Sequence, residues 1–359
     1  MGVPHRFLVE FSFLLSYPDD GKYCVTGGHD RTVRLWNPFR VDPAYVPPDR
    51  DSKRVGAKSG RKNEKELAAV PPALPIQTYF NGLTHPVSAL DTVTSPTAPA
   101  QLLLAATEKT LVISDLVTNQ VLRRLQGHSG RINSVAASDD GDCYLSASYD
   151  ATVCIWDGRA RSSTKPIQIL RDAKDSVTSV QVVQERGVDK SMASAEALIR
   201  TSSVDGIVRT YDVRRGLLKC DDVGSAITGM AMTHDGQCLA TSCLDGTIRL
   251  IELGTGELLN TYHGMHISGR YALDVGILAN DATVVSGSED GCCVLYDLVR
   301  ATQVQSLQHD DNIGNAARPL CSIATHPTKS SVVLTAGYDS KNVVWDNDSS
   351  LWSDQLLNS

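Results

Sequence analysis

Three side chains near the middle of the chain have the chemical types that a serine hydrolase uses. His128, Ser146 and Asp150 could supply a base, a nucleophilic hydroxyl and an orienting carboxylate. However, Trp156 follows at a spacing where its indole N–H can cap the serine, and no GxSxG turn or oxyanion loop surrounds Ser146. We therefore predict that this set is structural and that the chain is not an enzyme.

The structural alternative is a buried chain of hydrogen bonds. Asp150 would accept from His128, the second imidazole nitrogen would bond the Ser146 hydroxyl, and that hydroxyl would accept from the Trp156 indole. Each link adds only ~0.5–1.5 kcal/mol net, whereas a buried group left unpaired costs ~1–3 kcal/mol. We call this set of four the tetrad, and we expect it to specify the fold more than it stabilises it.

A hairpin is needed to position these side chains. Residues 141–157 predict two strands, Cys143 to Ser148 and Thr152 to Asp157, which are rich in β-branched and aromatic residues and are separated by a tight turn. His128 follows a glycine in the loop that leads into this hairpin. The combination is the signature of a WD repeat.

The same pattern recurs along the chain. A turn acid is followed six positions later by an aromatic residue or its replacement in seven places: Asp30 with Trp36, Glu108 with Ser114, Asp150 with Trp156, Asp205 with Tyr211, Asp245 with Ile251, Asp290 with Tyr296, and Asp339 with Trp345. When one insertion of about 36 residues between Asp30 and Glu108 is removed, the distance between successive turn acids comes near the ~40–45 residues of this repeat. The sequence therefore predicts an all-β fold, a seven-bladed WD40 β-propeller, as one domain over residues 1–359.

Only blade three has a complete tetrad. In blade two Glu108 has His85 as its candidate histidine, and blade five has neither a histidine nor an aromatic residue. Four other blades keep partial sets: Thr26, Asp30 and Trp36; Thr201, Asp205 and Tyr211; His266, Ser286, Asp290 and Tyr296; and Thr335, Asp339 and Trp345, with His309 as a candidate histidine for the last.

Closure of the ring is not fixed by the pattern. Only ten residues precede the first strand of blade one, Phe11 to Ser16, although a propeller usually needs one more strand to close. His5 to Glu10 or Leu351 to Leu357 could supply it, the last blade could have three strands, or a true N-terminus could be missing. The apolar run 7–17 is interpreted as strand rather than signal peptide, because Glu10 interrupts it.

Composition narrows the class of protein. The chain is 42% hydrophobic and 21% charged, and no apolar stretch reaches the ~18–20 residues of a membrane span. The net charge of -7 argues against a whole surface that binds nucleic acid. Nine cysteines without a CxxC pair are expected to be reduced and buried, which favours the nucleus and cytoplasm.

The chain carries no recognisable cofactor motif. It has no GxGxxG after a strand, no GxxxxGK[ST] and no HExxH. His263 and His266 could suggest a metal site, but His266 fits the position of a tetrad histidine and no acidic or thiol residue joins the pair at ligand spacing. We predict no cofactor, no metal and no small-molecule substrate.

Residues 41–75 form one insertion within or after blade one. Prolines at both ends and few apolar residues between them predict disorder. Arg50 to Lys65 contains seven Lys or Arg against two acids, a local charge of +5. A solvated loop is the simpler interpretation, and the alternative is a weak contact with RNA or an acidic partner.

One face of the predicted propeller could bind proteins. The loops between blades and the turns within them meet there, and nine of their side chains are expected to ring the channel mouth: His29, Thr107, Tyr149, Val204, Leu244, Glu289, Tyr338, Arg131 and Ser176. Tyrosine and arginine are frequent in protein interfaces. Protein binding is predicted for five of these: His29, Arg131, Tyr149, Leu244 and Tyr338.

Five stretches resemble a known family: GKYCVTGGHDRTVRLWNPFR (21–40), YDVRRG (211–216), VGSAITGMAMTHDGQCLATSCLDGTIRL (223–250), LGTGELLNTYHG (253–264) and VVSGSEDGCCVLYDLV (284–299). They are similar to the mitogen-activated protein kinase organizer family of WD-repeat proteins. The resemblance extends over nearly every blade. That family has a longer segment before GKYC and lacks the insertion at 41–75.

The resemblance implies a non-enzymatic scaffold. Members of the family are associated with the spliceosome and with the assembly of kinase cascades, so splicing factors or kinase-cascade components are the expected partners. The run KRVGAKSGRK could serve as a nuclear import signal or an RNA tether, which favours a nuclear function in pre-mRNA splicing. A cytoplasmic scaffold for a mitogen-activated protein kinase cascade is the alternative.

Overall fold

The fold is a ring of seven four-stranded antiparallel sheets. The computed structural model describes residues 9–10, 14–16, 21–41, 73–93, 101–160, 163–185, 196–212, 215–309, 318–338 and 341–346. Among these residues there is no helix with the length and apolar character needed to cross a bilayer. The prediction of an all-β, seven-bladed propeller is confirmed.

The first four blades each contain four consecutive strands. Blade one has β2 (Leu14–Ser16), β3 (Cys24–Gly27), β4 (Val33–Val41) and β5 (Ala73–Tyr79). Blade two has β6 (Val87–Val93), β7 (Leu102–Thr107), β8 (Thr110–Asp115) and β9 (Val121–Gln126). Blade three has β10 (Ile132–Ala137), β11 (Cys143–Ser148), β12 (Val153–Asp157) and β13 (Gln168–Leu170). Blade four has β14 (Val177–Glu185), β15 (Glu196–Ser203), β16 (Ile207–Asp212) and β17 (Leu217–Asp222).

The last three blades complete the ring. Blade five has β18 (Ile227–Met232), β19 (Cys238–Cys243), β20 (Thr247–Glu252) and β21 (Leu258–His263). Blade six has β22 (Val275–Ile277), β23 (Thr283–Gly287), β24 (Cys292–Asp297) and β25 (Gln303–Gln308). Blade seven has β26 (Leu320–Thr325), β27 (Val332–Gly337), β28 (Lys341–Asp346) and, from the other end of the chain, β1 (Val9–Glu10).

The hydrophobic core lies between adjacent blades. One cluster joins Leu104, Leu111 and Leu125 of blade two to Ile132 and Trp156 of blade three. The second strand of a blade is covered on both faces by its neighbours, so β7 and β11 are buried almost throughout. A blade therefore depends on the blades beside it, and loops at their ends are held in fixed relative positions.

Polar side chains on the innermost strands also join successive blades. The Asp91 carboxylate accepts from the Ala137 N–H at 2.8 Å, and the Thr228 hydroxyl donates to the Leu273 carbonyl at 2.9 Å. Such bonds cross from one blade to the next around the channel. They add directional constraints to the apolar packing between blades.

Strand β1 closes the ring. Val9 pairs with Asn342 and Glu10 pairs with Lys341 at the free edge of blade seven. Of the alternatives considered from the sequence, the segment ending at Glu10 is therefore the one that supplies the fourth strand. In blade one, β2 covers 14–16 of the predicted strand, and residues 11–13 lie outside the described part of the chain.

The insertion lies within blade one, and its predicted bounds were too wide. Strand β4 extends to Val41, which pairs with Ala73 at the start of β5, so residue 41 and residues 73–75 belong to the sheet. Strand pairing at the base of the insertion gives the backbone N–H and C=O groups of these residues hydrogen-bond partners. Residues 42–72, including Arg50 to Lys65, lie outside the described residues, as do 351–357, and the prediction of disorder stays a prediction.

Candidate functional site

Blade three brings its four tetrad side chains together. His128 Nδ1 lies 3.1 Å from Asp150 Oδ2, and His128 Nε2 lies 2.8 Å from the Ser146 hydroxyl oxygen. The Trp156 indole donates to that same oxygen at 2.9 Å. The tetrad thus ties the loop before β10 to the β11–β12 hairpin.

The turn acid of this blade is held as a carboxylate. Burial alone would raise the pKa of Asp150, but hydrogen bonds from Thr152 and the Ser129 N–H, together with nearby His128, outweigh it and lower the pKa well below its usual range. Ala151 has a φ of 61°, a left-handed conformation that is uncommon for residues other than glycine and is accommodated here by the tight turn. The acid therefore organises both the turn and the loop facing it.

The arrangement cannot act as a hydrolase. The order Asp150, His128, Ser146 reproduces the connectivity of a catalytic triad, but Ser146 is completely buried and its oxygen is already bonded by both His128 and Trp156. A nucleophile must reach a substrate carbonyl and lie near oxyanion donors. The first condition is not met at Ser146, because its buried hydroxyl cannot reach a substrate.

Ser146→Ala is expected to lower the free energy of unfolding by ~1–3 kcal/mol, because the imidazole and the indole each lose a buried partner. Urea denaturation of the purified chain measures the loss. Ser129→Ala is the control, since the exposed Ser129 hydroxyl also bonds Asp150, and it should cost less. Esterase activity in the wild type that disappears in Ser146→Ala at unchanged folding would contradict the structural role.

Blades one and seven retain the serine-to-indole part of the tetrad with threonine. The Trp36 indole donates to Thr26 at 2.9 Å, and the Trp345 indole donates to Thr335 at 2.8 Å. In blade seven His309 is buried, with Nε2 at 3.3 Å from the Thr335 carbonyl oxygen. Asp339 lies outside the described residues.

Blade six uses its tetrad residues in a different order. His266 Nδ1 lies 2.8 Å from the Tyr296 hydroxyl, whereas the Ser286 hydroxyl donates to the Gly287 carbonyl at 3.0 Å. The phenol places its polar atom farther from the backbone than an indole does, so it reaches the imidazole directly and bypasses the serine. Burial lowers the pKa of His266, partly offset by Asp290, which leaves the ring neutral at pH 7.

Three blades without a tetrad histidine use arginine instead, which the sequence analysis missed. The guanidinium four residues after the turn acid binds it at 2.8 Å for Arg34 and Asp30, 2.7 Å for Arg209 and Asp205, and 2.6 Å for Arg249 and Asp245. In the other four blades this position holds Val112, Cys154, Val294 or Val343. Cys154 stands where the three blades without a tetrad histidine have arginine, and its Sγ lies 3.8 Å from His128 Nδ1. A guanidinium at this position therefore extends into the region that the imidazole fills in blade three.

Blade four contains the most buried of these ion pairs. Burial alone would raise the pKa of Asp205, but Arg209, the Ser203 hydroxyl and the N–H groups of Lys174 and Ile207 outweigh it and hold the pKa well below its usual range. Thr201 is buried beside them. Tyr211 has a raised pKa because it is buried and bonded to Asp172, a residue from the loop where other blades carry histidine.

The turn of blade two is one residue shorter than the spacing suggested. Thr107 pairs directly with Thr110, which leaves a two-residue turn at Glu108 and Lys109. Thr107 is therefore a buried strand residue and not a side chain at the channel mouth, contrary to the prediction. His85 and Glu108 lie 3.5 Å apart, but both are more than half exposed, so this pair is a surface contact.

A cavity of about 530 Å³ opens at the channel mouth. Five of the nine predicted side chains line it: His29, Arg131, Tyr149, Ser176 and Tyr338. Val204, Leu244 and Glu289 lie outside this lining, because the ring of turns is wider than the channel. Tyr149 is 70% exposed and Tyr338 46% exposed, so both offer aromatic surface to a partner.

Thiol and metal chemistry find little support in the described residues. All nine cysteines are free, and Cys220 is exposed although the sequence suggested buried thiols. Burial raises the pKa of Cys154 and Cys321 to about 12, which makes them poor nucleophiles. No group of three or more His, Cys, Asp or Glu in the described part of the chain could hold a metal ion.

Comparison with a known repeat family agrees with this geometry. Residues 15–37, 119–157 and 218–252 match the family described as WD domain, G-beta repeat. These matches include the central hairpins of blades one, three and five. The chain is a seven-bladed β-propeller that contains WD40 repeats.

Several curated proteins are similar to this chain. The WD repeat domain-containing protein 83 homolog of Dictyostelium discoideum is 27% identical over 351 residues, which cover 93% of this chain and 94% of that protein. The proteins named WD repeat domain-containing protein 83 in Rattus norvegicus and Mus musculus are 37% and 35% identical over 173 residues, 48% of this chain. The chain spans about half the length of these two rodent relatives, 49% in each case.

Proposed function

We propose that this chain is a non-enzymatic scaffold that assembles components of a mitogen-activated protein kinase cascade. One observation carries the scaffold part of the proposal. The triad-like set His128, Ser146 and Asp150 is enclosed in a rigid ring, and the loops of that ring present exposed Tyr and Arg side chains. Rigid loops lower the entropy cost of binding, and a few aromatic and Arg contacts dominate affinity. Two partners held on one ring meet at a high effective concentration.

The kinase-cascade function has better support than splicing. The sequence resembles the organizer family over nearly every blade, and the relatives described above share the name WD repeat domain-containing protein 83 rather than a name from splicing. The family resemblance implies splicing as well, but the further support for splicing is the basic segment Arg50 to Lys65, which lies outside the described residues. We include both nucleus and cytoplasm in the proposed localisation.

Affinity purification from separate nuclear and cytoplasmic fractions tests the proposal. The tagged full-length chain should recover at least two kinases of one cascade from the cytoplasmic fraction, well above a tag-only control. Recovery of splicing factors without kinases from both fractions would overturn the kinase-cascade function and favour the splicing alternative.

Deleting residues 50–65 is expected to leave kinase recovery and RNA retention unchanged. A solvated loop makes no specific contact with RNA, and low salt is the stricter condition because a segment with a local charge of +5 would show any electrostatic contact most strongly there. Retention on a single-stranded RNA column is measured at low and at physiological salt for the wild type and the deletion. A loss of RNA retention at low salt in the deletion would show that this segment contacts RNA.

A further inference from the structure

Exposed apolar side chains cluster on one part of the propeller face that carries the loops between blades and the turns within them. Five of them lie on blades five, six and seven and are between 38% and 56% exposed: Leu244, Met265, Ile267, Tyr271 and Tyr338. We call these five residues the apolar rim. On other blades, exposed apolar residues of this face such as Phe80 and Tyr149 stand singly. Clustering of this kind marks interaction surfaces, whereas single exposed apolar residues do not.

The loop that carries three rim residues is held in place by blade six. It runs over 264–274, between β21 and β22. The Ile267 N–H donates to the Ser288 hydroxyl at 2.8 Å, and the Ile267 carbonyl accepts from the Glu289 N–H at 2.9 Å. The Glu289 carboxylate accepts from the N–H groups of Arg270 at 2.6 Å and Tyr271 at 3.1 Å. A partner would therefore meet a loop that has already lost most of its backbone freedom.

The rim is continuous across three blades. The rings of Tyr271 and Tyr338 lie 5.6 Å apart and are tilted by 54°, which joins the blade-six loop to the blade-seven turn. On the other side, the Ser268 hydroxyl donates to the Cys243 carbonyl at 3.5 Å, next to Leu244 of blade five. Contact between these elements makes one surface out of side chains from separate blades.

Arginines surround this apolar surface. Arg270 is exposed and precedes Tyr271, and Arg318 is exposed beside Pro319, whose carbonyl accepts from the Tyr338 N–H at 3.0 Å. Arg131 lines the cavity together with Tyr338. The nearby carboxylates already have partners: Glu289 accepts two backbone N–H groups, Asp245 pairs with Arg249, and Asp290 accepts the Cys292 N–H. Guanidinium groups favour carboxylates in bidentate contacts, so the rim is complementary to an acidic partner.

We propose that the apolar rim binds a short segment of a partner protein that carries two or more large apolar side chains next to Asp or Glu. The apolar side chains pack on Ile267 and on the tyrosine pair, and the carboxylates face Arg270, Arg318 and Arg131. This inference rests on the proposed function in that it names where on the scaffold a protein docks. It is independent of which kinases or other proteins carry such a segment.

Selection of displayed random peptides on the purified full-length chain tests the inference. Enriched peptides should combine apolar residues with Asp or Glu, and their synthetic forms should bind about tenfold or more weakly to Ile267→Ser and Tyr271→Ser. Arg270→Glu should weaken acidic peptides similarly and should bind lysine-substituted versions better. Val299→Ser and Val304→Ser, on exposed residues of blade six away from the rim, are matched controls and should bind as the wild type does.

Three results would overturn the inference: no enrichment, enrichment of basic peptides, or peptides that bind Ile267→Ser as tightly as the wild type. All variants alter exposed side chains, and their thermal midpoints should equal that of the wild type, which separates lost binding from lost folding. Because the peptides are measured on the isolated chain, failure of the kinase-cascade function leaves this test unaffected, and the reverse also holds.

Discussion

Replacing Arg209 with methionine is expected to lower the free energy of unfolding by ~3–5 kcal/mol, the cost of leaving a buried charge without its partner. Arg209 and Asp205 are only 3% and 9% exposed, and they bind each other at 2.7 Å. The carboxylate would lose both guanidinium contacts while remaining inside blade four. Urea denaturation followed by tryptophan fluorescence measures the change.

Blade one offers a matched control for this prediction. Arg34 and Asp30 form the same i, i+4 pair at 2.8 Å, but each is 22% exposed. Arg34→Met should therefore cost ~1 kcal/mol or less, in the range of solvent-exposed pairs. The double variant Asp205→Asn with Arg209→Met should recover part of the loss. Equal losses for Arg34→Met and Arg209→Met would show that burial of the pair does not set its importance.

Replacing Trp156 with alanine is expected to cost ~3–5 kcal/mol, because it leaves a large cavity between blades two and three. Trp156 is 1% exposed and packs in the cluster that joins these blades. Its ring also lies against Gly127, where an added Cβ would come within 2.9 Å of it. The measured quantity is the midpoint and slope of urea denaturation.

Trp156→Phe separates packing from hydrogen bonding in the same position. Phenylalanine keeps most of the apolar volume but leaves Ser146 without the indole donor, so we expect a loss of ~1–2 kcal/mol. Combining it with Ser146→Ala should give less than the sum of the two single losses, since the residues share one network. Strict additivity would contradict the bonded tetrad.

The sequence predicted the features that recur in each blade because they depend on residues close together in the chain. The turn acids and the residues six positions later identified seven blades, because each turn needs a side chain that bonds its own backbone and each hairpin needs apolar strands. For blade three, the residue types together with their repeat spacing gave the partners of His128, Ser146, Asp150 and Trp156, since donors and acceptors alternate along that order.

The sequence did not predict features that depend on length or distant contacts. The two-residue pairing of Val9 and Glu10 with blade seven has no signal of its own, so ring closure stayed open. Equal turn lengths were assumed, and blade two has a shorter turn that buries Thr107. The tetrad pattern includes a histidine but not the arginine four residues after the turn acid, although the alternation of Arg with Val or Cys at that position is visible in the sequence.

The loop over 264–274 shows a second limit. Its exposed Met265, Ile267 and Tyr271 have the types of ordinary loop residues, and only the structure shows that Glu289, 18 residues after Tyr271, holds the loop backbone. The contact of Tyr271 with Tyr338 then joins this loop to another blade, and a repeat pattern carries no information about either contact.

A titration of the full-length chain into a reconstituted kinase cascade tests the scaffold function most directly. A protein that holds two partners at once raises the rate of the second phosphorylation at low concentration and lowers it at high concentration, when separate copies each bind one partner. We predict this rise and fall. A rate that does not change, or that rises to a plateau without falling, would contradict the account.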